Sequence, residues 1–124
     1  MKVSTRYRPV LITVDADESL VVAADRMRWY AVGALPVYER HALVGIMTER
    51  DVTAAVADGV DPARTLVRER MTPAPATVTP DDDLADAARI MAELGVRHLP
   101  VVEDHRLVGM LSLRDLIVLG ATPA

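Results

Sequence analysis

ALPVYERHALVGIMTERD, residues 34–51, returns 64 positions later as HLPVVEDHRLVGMLSLRD, residues 98–115. Working outward from this pair, residues 13–56 align with 77–120 without a gap and share 18 of 44 positions, which marks an internal duplication. The matches fall where a core needs them. Thr13-Val14 repeats as Thr77-Val78, Leu20, Ala23, Ala24 and Met27 as Leu84, Ala87, Ala88 and Met91, and Leu35-Pro36-Val37 as Leu99-Pro100-Val101.

Each copy reads as strand, helix, strand, strand, helix. In the first, residues 10–14 form an apolar, β-compatible run and residues 15–19 carry carboxylates and a hydroxyl suited to starting a helix. Leu20, Ala23, Ala24 and Met27 then recur at helical spacing, with a stop expected between Tyr30 and Gly33. Residues 35–38 and 43–47 predict a hairpin about the polar segment 39–42, and a second helix is expected from Thr48 to Asp58, ended by Gly59. The second copy predicts a strand over 76–78, a helix over 82–93, a hairpin of 99–102 with 107–111, and a last helix from Ser112 to Leu119. Between the copies, 61–64 reads as a turn and 65–71 as a short helical connector, which the prolines at 73 and 75 prevent from continuing. The expected division is therefore 1–64, an arm with the first unit, and 65–124, the connector with the second.

A chain of 124 residues with 51% hydrophobic content can bury one compact body but is marginal for two independent ones, so two half-units sharing a core are expected. Only 3% of residues are aromatic and none is Phe, which leaves the core to Val, Leu, Ala, Ile and Met. The absence of cysteine excludes disulfides, thiolate metal sites and thiol nucleophiles. No stretch has the apolar core of a signal peptide or an apolar run of about 18 residues, so a cytoplasmic location and no membrane partner are expected. A net charge of −4 opposes nucleic-acid backbones, and no nucleic-acid partner is expected. Lys2, Arg6 and Arg8 run against that balance and read as solubilising charge on an extended or frayed arm.

Taken together, the connector ending in Met71-Thr72-Pro73, the paired Leu-Pro-Val strands, the paired Leu-Val-Gly turns, and Thr48-Glu49-Arg50-Asp51 with Ser112-Leu113-Arg114-Asp115 resemble the tandem CBS domain, or Bateman module. The resemblance covers residues 10–120. It implies an α/β (α+β) fold of two pseudosymmetric β-α-β-β-α units packed as one module. It also implies a regulatory role, in which clefts between the units take adenosine-containing ligands such as AMP, ADP, ATP or S-adenosylmethionine. The other reading is a ligand-free scaffold of the same fold.

By the same resemblance, Asp51 and Asp115 would accept the ribose hydroxyls. Thr48 and Ser112, each at a helix start whose N–H groups and dipole favour anions, would face phosphate, with Arg50 and Arg114 adding charge. The same Thr/Ser-x-x-Asp spacing also forms a capping box with no ligand, and the two roles are compatible. The adenine slot would fall along Thr13, Val14 and Val37 in one copy and Thr77, Val78 and Val101 in the other, where the valines also read as plain strand core. Just before Leu-Pro-Val the copies differ: Gly33-Ala34 in the first, Arg97-His98 in the second. Basic residues here can reach ligand phosphates, so the second copy is expected to dominate phosphate binding. No catalytic residue, metal site or catalytic cofactor is expected: no Ser-His-acid order or P-loop appears, and His41 and His105 are single turn histidines without a ligand set. Residues 81–83, all Asp, offset a helix dipole. Trp29 lies about 180° from the core stripe of its helix. It marks a face for self-association into a homodimer, and the effector that reads the module is unknown.

Overall fold

A computed structural model describes residues 1–10 and 12–120, the last four by backbone alone. Its elements are a 3-10 turn (Val3–Thr5), β1 (Val14–Asp15), α1 (Leu20–Tyr30), β2 (Ala34–Glu39), β3 (Ala42–Thr48), α2 (Glu49–Ala57), α3 (Val67–Arg70), β4 (Thr72–Pro73), α4 (Leu84–Leu94), β5 (His98–Glu103), β6 (Arg106–Ser112) and α5 (Leu113–Gly120). The fold is mixed α/β, with the β-α-β-β-α order repeated. The first strand of each copy is shorter than its apolar run suggests. Residue 11 of the expected strand lies outside the described residues, and the strand over 76–78 contracts to one parallel bridge, Val78 with Val101.

The chain divides into two units, Leu11–Pro75 and Met1–Val10 with Ala76–Ala124. This differs from the expected 1–64 and 65–124, because the arm, which precedes the first copy, packs on the second, and the connector, which precedes the second, packs on the first. Val67 N donates to Glu18 O at 2.8 Å and Arg68 N to Ala16 O at 2.9 Å, which ties the connector to the first copy. Val3 N donates to Asp82 O at 2.8 Å and Ser4 N to Pro80 O at 2.9 Å, which ties the arm to the second. These bonds are related by the same 64-residue offset. The arm is thus neither frayed nor merely solubilising: Val3 is fully buried beside Val78, Leu84, Met91 and Leu99.

Buried residues group into two clusters, one in each unit. Leu20, Ala23 and Met27 of α1 pack with Leu35, Val37, Met47 and Val67 in one, and Leu84, Ala87 and Met91 of α4 with Leu99, Val101, Leu111 and Val3 in the other. In the first unit, β1 runs parallel to β2, β2 antiparallel to β3, and β3 antiparallel to β4. In the second, β5 and β6 form the hairpin, and Arg8 bridges Met110 on its edge as Thr72 bridges Ile46 in the first. Both hairpins turn on two residues with positive φ, Arg40-His41 and Asp104-His105, as a right-twisted two-residue connection requires.

Candidate functional site

Each β-hairpin delivers the chain directly into a helix, so the hydroxyl that ends the strand becomes the N-cap and the carboxylate three residues on faces back to it. In the first unit, Thr48 Oγ1 accepts from Asp51 N at 3.2 Å, and Asp51 Oδ2 accepts from Thr48 N at 2.9 Å. This is a complete capping box at the start of α2. Glu49 N donates to Gly33 O at 3.0 Å, which sets Gly33-Ala34 beside it. Asp51 is partly buried, and its hydrogen bonds are those of the box.

At α5 the same device gains a hydroxyl bond and a further partner. Ser112 N and Ser112 Oγ both donate to Asp115 Oδ2, at 3.1 and 2.9 Å, while Asp115 N reaches Ser112 Oγ at 3.4 Å. The other carboxylate oxygen, Oδ1, accepts from Arg8 Nε at 3.1 Å. The Asp115 side chain is only 7% exposed and that of Arg8 71%, so a solvated guanidinium lies over a buried carboxylate. Among the described residues Asp115 is the one buried charged group, and both its oxygens are engaged. Leu113 N donates to Arg97 O at 2.8 Å, and His98 pairs with Ser112 across β5 and β6. Arg97 and His98 therefore stand at the same helix start as Ser112, Arg114 and Asp115.

Arg8 is the residue that sequence reasoning missed. The signal lay in extending the 64-residue offset backwards, where Val3, Arg6 and Pro9 repeat as Val67, Arg70 and Pro73. That alignment puts Arg8 opposite Thr72, and both sit on the edge of their unit's hairpin. The close approach depends on glycine. A Cβ at Gly109 would strike the Tyr7 ring and come 2.5 Å from Arg8 O, and one at Gly45 would meet Met71 Sδ at 2.5 Å. Thr5, Arg6, Tyr7, Arg8 and Asp115 line a hollow of about 240 Å³.

The remaining expected residues divide by burial. Val14, Val37, Val78 and Val101 are buried in the two cores, as their reading as strand core expects, with Val14 paired parallel to Val37 and Val78 to Val101. Thr13 is partly buried and Thr77 exposed, each one residue before its buried valine. Arg50, Arg97 and Arg114 are exposed.

Charge elsewhere in the first unit is structural. Burial would raise the Glu18 carboxyl, but hydrogen bonds from Arg26 at 2.6 and 2.8 Å and from the Asp15 amide hold it below its ordinary 4.5. Arg68 binds Asp17 and Glu39, which holds its guanidinium above the ordinary value and fastens α3 to the first copy. Trp29 is 79% exposed, as expected for the outer face of α1. His41 and His105 are exposed turn residues, and no group of three or more acidic, His or Cys residues able to hold a metal occurs among the described residues. No described helix is long and apolar enough to cross a membrane.

The family model for the CBS domain matches residues 4–58 and 67–121. CBS domain-containing protein YhcV of Bacillus subtilis is 37% identical over 107 residues, covering 86% of this chain and 76% of its own length. A putative signal-transduction protein with CBS domains from Burkholderia ambifaria superposes with a TM-score of 0.89 at 27% identity, covering 98% of this chain and 94% of that one. The CBS domain pair of protein MJ0100, solved with 5-methylthioadenosine and S-adenosyl-L-methionine, does so with a TM-score of 0.89 at 27% identity, covering 98% and 100%.

Proposed function

Because the chain belongs to the CBS domain family, as a tandem pair, we propose that it is a regulatory module binding adenosine-containing ligands, with Asp51 and Asp115 holding the ribose. The observation that carries this is the paired geometry: in each unit a hydroxyl, a carboxylate and a helix N-terminus converge at the end of a β-hairpin. The adenosine-type ligands of MJ0100 support the ligand class. An ionised carboxylate fixed by a backbone N–H is well placed to accept two ribose hydroxyls. Thr48 and Ser112 would contribute their hydroxyls, and Thr13 and Thr77 would meet the base or sugar at the strand ends.

The two ends differ in charge. Arg6, Arg8, Arg97, His98 and Arg114 surround the second, whereas the matching positions of the first hold Arg70, Thr72, Gly33, Ala34 and Arg50. Arg70 is itself paired with Asp58 at 2.5 Å. Phosphorylated ligands, AMP foremost, therefore favour the second end. No catalytic step is assigned, and output passes through an effector protein or through self-association at the Trp29 face.

A ligand-free scaffold is the second reading, favoured by the two boxes that satisfy their helix starts without outside help. Melting of the full chain with millimolar AMP, ADP, ATP or S-adenosylmethionine separates the two. A ligand at about 100 times its dissociation constant adds about 2.7 kcal/mol, a shift of several degrees, which Asp115→Ala abolishes and Asp51→Ala largely spares for AMP. No shift with any of the four, from a protein that melts cooperatively, selects the scaffold.

A further inference from the structure

The Arg8 guanidinium occupies the carboxylate oxygen that a ribose diol would need at the second end. Asp115 Oδ2 is already held by Ser112, so Oδ1 is the oxygen open to exchange, and Arg8 Nε sits on it at 3.1 Å. We propose that Arg8 is a specificity residue for the second end, releasing Asp115 only to an adenosine ligand that brings an anion for Arg8 to bind. This inference rests on the adenosine-ligand reading above.

Four observations lead to it. Arg8 can move without undoing the arm, since its side chain is 71% exposed while its backbone is fixed by exchange with Met110 at 3.0 and 2.8 Å. The hollow beside Asp115 carries two guanidinium groups against one carboxylate. Arg6 also lines it, and its Nε is buried with no hydrogen-bond partner, so a second guanidinium there lacks a full set of acceptors. The position 64 residues on from Arg8 is Thr72, which has no charge to displace, so the effect belongs to one end only.

The exchange differs by ligand charge. A neutral diol that takes Oδ1 strips Arg8 of its partner and returns none. S-adenosylmethionine has a carboxylate, but its ammonium and sulfonium leave it net positive against an already cationic hollow. A phosphate supplies three acceptor oxygens and restores a charge-assisted contact, so the swap of one partner for another is nearly even.

Calorimetric titration of the full chain with AMP and with adenosine, on the wild type, Arg8→Gln and Arg8→Lys, tests this. In the wild type the tighter AMP site should exceed adenosine by about tenfold, the worth of one charge-assisted bond. Arg8→Gln should bring that ratio close to one, with adenosine binding as well or better, and Arg8→Lys should keep most of the preference. An unchanged AMP-to-adenosine ratio in Arg8→Gln, with both ligands still binding, overturns the role of Arg8 and leaves the adenosine reading standing. Binding of neither ligand to any of the three proteins overturns that reading and this inference with it.

Discussion

Thr48 with Asp51 and Ser112 with Asp115 are the same device built twice, yet one stands open and the other is covered. At the first, the carboxylate serves the helix start and keeps an oxygen outside the box. At the second, it is buried, its two oxygens divided between Ser112 and an arginine from the arm. Among the positions that differ, Arg8 against Thr72 is the pair that covers the carboxylate. Duplication thus fixed the scaffold of the two ends, while residues at its margins set what each could accept.

The largest difference should appear where the segments carrying those residues cross the hairpins. Gly109→Ala should cost about 2–3 kcal/mol in denaturant unfolding, because the added methyl meets an aromatic ring and backbone. Gly45→Ala should cost less, about 1–2 kcal/mol, since the Met71 thioether can bend away, although Thr72 O at 2.9 Å is less forgiving. Equal costs would mean that the arm holds the second unit no more rigidly than the connector holds the first.

Removing the N-cap hydroxyl is the next step down. Thr48→Ala and Ser112→Ala should each lose about 1 kcal/mol, read by the same unfolding curves. A cost at Ser112 clearly above that at Thr48 would show that the Arg8 contact depends on how the box holds Asp115.

A smaller effect confined to acid should distinguish the units. Glu18 is held below its ordinary value, so its contribution is complete above pH 4.5 and is lost as the pH falls through its lower folded value. The matching positions in the second unit are Asp82 and Ile90, which cannot form the Glu18–Arg26 pair. Amides of α1 should therefore lose exchange protection in acid before those of α4, and Arg26→Met should remove the difference.

The smallest effect is expected from Arg8→Gln on stability, a loss below about 1 kcal/mol, because the guanidinium given up is solvated although the carboxylate it covers is buried. A larger loss would make Arg8 a structural anchor rather than a selector.

The fold was legible because the repeat preserves apolar positions at the periods of helix and strand: Leu20, Ala23 and Met27 are buried as their spacing requires, and so are Leu84, Ala87 and Met91. The capping boxes were legible for the same reason, since three-residue spacing at a strand end is a local property. What escaped was long-range. Val3 reads as an isolated valine in a charged terminus, and only the Asp82 carbonyl and the core of the second copy, far along the chain, give it a place. The same long-range placement supplies Val67 to one core and Val3 to the other. The ion pair of Arg8 with Asp115 joins residues 107 apart, and only the repeat extended backwards into the arm places Arg8 at the hairpin edge.

The central claim is that the two carboxylate ends are unequal and sort ligands by charge. Amide-resolved NMR titration of the full chain, first with AMP and then with adenosine, tests it most directly. AMP should shift Ser112–Asp115 at lower concentration than Thr48–Asp51, and adenosine should reverse that order. Both ends responding together to both ligands, or adenosine reaching the second end first, would contradict it.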